Sequence, residues 1–167
     1  MLLVLIVVST SCGKKAINLS KTPKIEFESI DLIKDANGKD SIIELAIYFE
    51  DGDGDIGLTD TDTAAPFNYG SPYFHNMPIK YLVKDGSGNY TELINPIDME
   101  PYGNKHQRVP VLTPTSKHKL ITGTLRVFLN ANPLNTKPAD AKFEIRLMDR
   151  NLNISNTVTT PSVQLSH

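Results

Sequence analysis

Apolar and polar side chains alternate in short runs along most of this chain, and nowhere does a helical period of apolar residues last three turns. Residues 24–33 place Ile25 and Phe27 on one face and Glu26 and Glu28 on the other, then change phase at Ser29 and Ile30, as a bulge requires. The pair Asn37-Gly38 predicts a hairpin turn with both residues at positive φ. Residues 41–50 follow as a strand with Ile43, Leu45, Ile47 and Phe49 in phase. The alternation recurs in 78–85, in 89–94 after the turn Asp85-Gly86-Ser87-Gly88, in 120–130 through Leu125, Val127 and Leu129, and in 141–149 through Phe143, Ile145 and Leu147. The Pro-rich passage 95–114 predicts one short edge strand over 107–112, and residues 157–165, rich in Thr and Val with Pro161 inside, predict a last one.

About seven such strands with turns between them predict a single all-β domain over 24–167, an immunoglobulin-like antiparallel β-sandwich. Its core is expected to hold Leu45, Ile47, Val127, Phe143, Ile145 and Leu147. The chain of 167 residues has no tryptophan and one cysteine, so the buried Trp and the cysteine pair of antibody domains are missing. Stability must come from burial alone.

Charge narrows the function classes. A net charge of -2 and a pI near 6.1 give no field that would attract a polyphosphate, so nucleic acid is excluded as the expected partner. Lys117-His118-Lys119 reads as a solvated loop. Neither H-E-x-x-H nor G-x-S-x-G occurs, there is no glycine-rich phosphate loop before a helix, and His75, His106, His118 and His167 lack metal-ligand spacing. The expectation is a protein that is not an enzyme.

The first residues carry an address. An apolar run from Leu2 to Val8, too short to span a bilayer, leads through small residues to Ser11 and Cys12. Ser11-Cys12 resembles the end of a bacterial lipobox, which implies a signal segment over 1–11, acylation of Cys12 and a polar tether over 12–23. Two acyl chains hold firmly, at ~0.8 kcal/mol per buried methylene. The expected location is the cell envelope, lipid-anchored at the outer membrane, and the basic Lys14 and Lys15 favour its periplasmic face.

The most specific internal motif is Asp51-Gly52-Asp53-Gly54-Asp55-Ile56-Gly57-Leu58, in the loop after the second predicted strand. Carboxylates so bunched are stable when solvated or when neutralised by a cation, and carboxylate oxygen is the ligand calcium prefers. Counting Asp51 as position 1 of a calcium loop puts Asp53 at 3, Asp55 at 5, the Gly57 carbonyl at 7, Thr59 at 9 and Asp62 at 12. Position 6 is Ile56 where an EF-hand has glycine, and position 12 is Asp where it has Glu. In a sandwich of this type the loop after the sixth main strand emerges at the same end, which would bring Asp149, Asn151 and Asn153 toward the motif. Asp-Gly repeats are also good turn formers, and both readings stand at this point.

The same loop continues into an aromatic stretch containing Phe67, Tyr69, Tyr73 and Phe74. Tyr69, Tyr73 and Phe74 are candidate ligand-binding residues, while folding back of Phe67, Tyr73 and Phe74 as a lid over one end of the core is the alternative. Taken together, Ser11-Cys12, the run Asp51 to Leu58 and the ending Asp149-Arg-Asn-Leu-Asn-Ile-Ser-Asn-Thr-Val-Thr-Thr-Pro161 resemble a group of uncharacterised Bacteroidetes-type lipoproteins with an immunoglobulin-like domain. The resemblance implies an envelope lipoprotein and brings no settled activity. Two functions follow as expectations: a non-catalytic sandwich that binds or supports another envelope protein or glycan, with a calcium-stabilised acidic loop, or a glycan-acting accessory protein or weak hydrolase using loop residues.

Overall fold

Two antiparallel sheets packed face to face build the domain. The structure, a computed structural model, describes residues 20–103, 106–112 and 120–167. Cys12 and most of the tether, like Lys117-His118-Lys119, lie outside the described residues. The strands are β1 (Lys24–Lys34), β2 (Asp40–Asp51), β3 (Ile79–Lys84), β4 (Tyr90–Glu92), β5 (Ile121–Asn130), β6 (Asp140–Ile145), β7 (Val158–Thr159) and β8 (Val163–Gln164). One sheet has the order β1-β2-β5; the other has β4-β3-β6-β7, with β8 also on β6. This is the expected sandwich, with β1, β2 and β5 facing β3, β4 and β6 and the end of the chain.

The alternation of the sequence becomes the two faces of each strand. Ile43, Leu45, Ile47 and Phe49 of β2 point inward with Val127 and Leu129 of β5, and Ile79, Tyr81, Phe143, Ile145 and Leu147 meet them from the other sheet. All six residues expected in the core are buried. Tyr81 stands edge-on to Phe143 at 4.8 Å, a favoured aromatic arrangement. The bulge expected near Ser29 is there, as a register shift between Phe27 and Ser29, and it brings Ile30 and Leu32 back onto the core side.

Three expectations are corrected. Gly38 has φ 76 but Asn37 is not at positive φ; the turn is built by Asp35, whose Oδ1 accepts the N–H groups of Asn37 and Lys39. Asp85 repeats the device on Ser87 and Asn89, with Gly88 at φ 89. Residues 107–112 form no strand: Gln107 bridges Met77, and Val109 and Leu112 pair with Leu58 and Ile56 in the neighbouring loop. Pro110 removes a donor from the middle of the run. The last strand divides into β7 and β8 around Pro161 for the same reason.

Candidate metal centre

β2 ends at Asp51, and its last residue begins the site. Asp51 is 1% exposed; its Oδ2 accepts the N–H of Asp55 at 3.0 Å, which folds the two glycine-spaced turns back on the strand end. Gly54 sits at φ 66, a conformation glycine adopts without a steric cost. From the other sheet the chain leaves β6, passes Leu147 and pairs Asp149 with Ile56 in an isolated bridge. The N–H of Arg150 then donates to the carbonyl of Asp55 at 3.2 Å. These backbone bonds fix the loop after β2 against the loop after β6, at the same end of the sandwich.

The result is a group of four carboxylates, from Asp51, Asp53, Asp55 and Asp149, with one oxygen of each within 4.8 Å of the others. They can hold a metal ion. Asp51 and Asp149 are buried, while Asp53 and Asp55 are half-exposed and close the site on the solvent side. Asp149 is aimed by Asn153, whose backbone N–H and side-chain amide donate to its two oxygens at 2.8 and 2.7 Å. Asn151 donates to Asp55 Oδ2 at 2.6 Å. The Oδ1 atoms of Asp51, Asp53 and Asp55 are buried and have no hydrogen-bond partner among the described residues.

Such an arrangement is costly when all four groups are ionised and no cation is bound. Two unit charges 4.8 Å apart repel by about 3 kcal/mol at an effective dielectric of about 20. The carboxyl of Asp51 is pushed up to about 6, by burial first and then by Asp53 and Asp149, against the pull of the Asp55 N–H. Asp55 is also pushed up to about 6, by burial and then by Asp149, Asp53 and Asp51. The cluster therefore favours protons or a positive ion over four bare charges.

The structure divides the seven sequence candidates. It brings Asp51, Asp53, Asp55 and Asp149 together and places Asp62 elsewhere. Arg150 donates to both oxygens of Asp62, at 2.7 and 2.8 Å, and to the Gly57 carbonyl at 3.3 Å. The hydroxyl and N–H of Thr59 also donate to Asp62. The guanidinium beside it holds the Asp62 carboxyl well below the usual carboxylate range. The loop does not wrap a site in the manner of an EF-hand, and the cause is Ile56. Fully buried and bridged to Asp149, it turns the chain away after Asp55, so the fourth carboxylate comes from the other loop.

Arg150 and Arg108 escaped the sequence reading. Arg108 donates to the carbonyls of Phe74, Thr59 and Asp62, and its guanidinium lies 4.9 Å from the centre of the Phe74 ring. Arg150 lies 5.9 Å from the Phe67 ring. The position of Arg150 directly after Asp149 was the available signal. Phe67, Tyr73 and Phe74 are half-buried as a lid would be, whereas Tyr69 is 86% exposed and rests edge-on against Phe74 at 5.3 Å. His75 and His106 have ring centres 5.6 Å apart; the Nδ1 of His106 accepts the N–H of Ile79 at 3.0 Å, tying the loop to β3. No protein-family model matches the chain, and no curated protein or solved structure shows significant similarity to it.

Proposed function

We propose that the protein is a non-catalytic β-sandwich of the cell envelope, anchored through an acylated Cys12, that binds calcium between two loops and supports or binds another envelope component. The observation carrying the calcium reading is the trio of buried, unpartnered oxygens on Asp51, Asp53 and Asp55, three carboxylates that cluster with that of Asp149. A buried acceptor without a donor costs about 1–3 kcal/mol, more when charged, and a cation removes that cost for all three at once. Oxygen-only donors suit a hard cation. Calcium, with 6–8 ligands in a flexible shell, tolerates a site closed by two half-exposed aspartates better than magnesium, which demands a near-ideal octahedron. Its role here is to join the two loops. The envelope assignment rests on Ser11-Cys12 and the apolar run before it.

Melting the full chain in chelator, in millimolar calcium and in millimolar magnesium tests the site. At a hundredfold excess over the dissociation constant the ion adds about 2.7 kcal/mol, which shows as a raised Tm in calcium, a smaller rise in magnesium and little change for Asp53→Asn. Superimposable curves for the parent in all three buffers would reduce the loop to a solvated turn. The anchor is tested separately by membrane fractionation of Cys12→Ser, which is expected to leave the membrane pellet. A variant as firmly pelleted as the parent sinks that half of the reading.

A further inference from the structure

Exposed large apolar side chains are unevenly distributed over this domain. The three most exposed among the described residues are Tyr69 and Ile97, each 86%, and Met99, 73%. All three lie on loops at the end that carries the acidic cluster. Tyr69 belongs to the connection from the end of β2 to the start of β3. β4 runs antiparallel to β3, so the chain leaving β4 heads for the same end and turns back through residues 95–100. Leu120, just before β5, and Ile154, after β6, add smaller exposed surfaces there. The three turns at the opposite end, 35–39, 85–89 and 131–139, expose no large apolar side chain. Single exposed apolar residues need no explanation, but a set gathered at one end marks a contact surface.

The tip at 95–100 is built to hold its shape. Ile94 bridges Pro101, the Asn95 N–H donates to the Glu100 carbonyl at 2.9 Å, and the Met99 N–H donates to the Asn95 carbonyl at 2.9 Å. Asn95 Oδ1 accepts the Ile97 N–H, and the two oxygens of Asp98 accept the Asn95 amide and the Glu100 N–H. These bonds keep Met99 at φ 60, which is uncommon outside glycine. The side chains of Asn95 and Asp98 are spent on the turn itself, while Ile97 and Met99 are left to the outside.

We propose that this end of the sandwich rests on a lipid surface, with Ile97 and Met99 at the hydrocarbon boundary and Tyr69 at the headgroups. The proposal rests on the anchored reading given above, and the point of attachment selects lipid over a protein. β1 begins at this end, with Lys24 opposite Glu50, and the chain from Cys12 to Ser20 spans at most about 28 Å when extended. An anchor so close holds the loop tips near the bilayer at a high effective concentration, so a few apolar side chains suffice to dock them. Tyrosine suits the interface, where its ring is covered and its hydroxyl stays wet. Without a cation, the clustered carboxylates and Glu100 favour zwitterionic headgroups over anionic ones. Docked tips fix the orientation of the domain, which the acyl chains alone leave free.

The chain has no tryptophan and one cysteine, so a fluorescent reporter and an attachment point can each be placed singly. For the test, Cys12 of the full chain is coupled to a maleimide lipid in phosphatidylcholine vesicles, in chelator, so that the result depends neither on natural acylation nor on the cation. The reporter is Ile97→Trp, Tyr69→Trp or, as the reference, Phe128→Trp, whose site is 59% exposed on the outer face of the β1-β2-β5 sheet. Brominated lipid is expected to quench positions 97 and 69 several-fold more than position 128. Adding Ile97→Glu and Met99→Glu to the Tyr69→Trp chain should weaken its quenching about tenfold or more, with the circular dichroism of the parent. Equal quenching at 97 and 128 overturns the proposal and leaves the tip for a protein partner. So does a Tyr69→Trp signal that both glutamates leave unchanged. These outcomes are separate from the Cys12→Ser fractionation and the calcium melting, because the coupled chain docks whether or not those two readings hold.

Discussion

Replacing Asp51 with asparagine has opposite consequences with and without a cation, and the sign can be worked out from the geometry. Asp51 is almost fully buried, one oxygen accepts the Asp55 N–H, and the other has no donor. Asparagine keeps an oxygen for the Asp55 N–H and turns an amide N–H₂ toward the remaining carboxylates. At neutral pH without cation, a carboxyl pushed from 3.8 to about 6 is held ionised at a cost of about 3 kcal/mol. Protons shared among the four acids reduce this, so Asp51→Asn is expected to stabilise the protein in chelator by about 2 kcal/mol. For a domain of this size that corresponds to a Tm higher by roughly 4–8 °C. In calcium at a hundredfold excess over the dissociation constant the parent gains about 2.7 kcal/mol and the variant, short of one ligand and one charge, gains little. The order of the two melting curves therefore reverses between chelator and calcium. Scanning calorimetry in both buffers reads the effect directly. A variant that melts below the parent in chelator, by the same margin as in calcium, would refute the claim that this carboxylate is a liability until a cation arrives.

The same carboxyls set a pH dependence: with folded values of about 6 for Asp51 and Asp55 against 3.8 unfolded, their contribution to the stability of the chelated protein should be fully present below pH ~4 and lost as pH rises to ~6, a fall that calcium should flatten in the same Tm series. Asp40 acts the other way, its carboxyl held down to about 2 by Lys34 and Ser166, so that its contribution is present above pH ~4 and lost toward pH 2. Arg150→Met should free Asp62 and the Gly57 carbonyl, and cleavage by chymotrypsin at Phe67, Tyr69, Tyr73 or Phe74 should then rise several-fold in calcium with the core spectrum unchanged; equal cleavage would show that the clamp does not hold the loop. Gly57→Ala should cost about 3 kcal/mol or more in urea unfolding, because φ is 113 there and a methyl group would sit 2.1 Å from the Pro110 carbonyl oxygen.

The sandwich was legible because its strands are half-buried ribbons, and side-chain period alone states which face of β2, β5 and β6 meets the core. The phase change at Ser29 marked the bulge for the same reason. Residues 107–112 misled because their alternation reflects Val109 packing into the core under a loop, with Asn76 holding its N–H and carbonyl, rather than membership of a sheet. Three of the four clustered carboxylates could be read from spacing, and Asp149 from the rule that two loops share an end. Asp62 could not be assigned correctly, because a linear register cannot represent an arginine 88 residues away competing for the same acid. The aspartates at 35 and 85 were hidden behind the better-known Asn-Gly and Gly-Ser-Gly signals beside them.

The carbonyl of Ser20 accepts the N–H of Gly52, so the chain enters the sandwich immediately beside the acidic cluster. Any support that holds the protein from upstream of residue 20 therefore keeps the four carboxylates at the proximal end and the Asp35 turn, at the opposite end of the β1-β2 hairpin, at the distal end. A short leash would set the cluster close to that support's own surface. Were the support an anionic lipid layer, the divalent ions gathered in its electrical double layer would bathe the site at a concentration above that of the bulk, so a weak site could be filled there and empty on a released domain. The distance from the surface, set by the length of the leash, then becomes a control on the rigidity of the proximal loops.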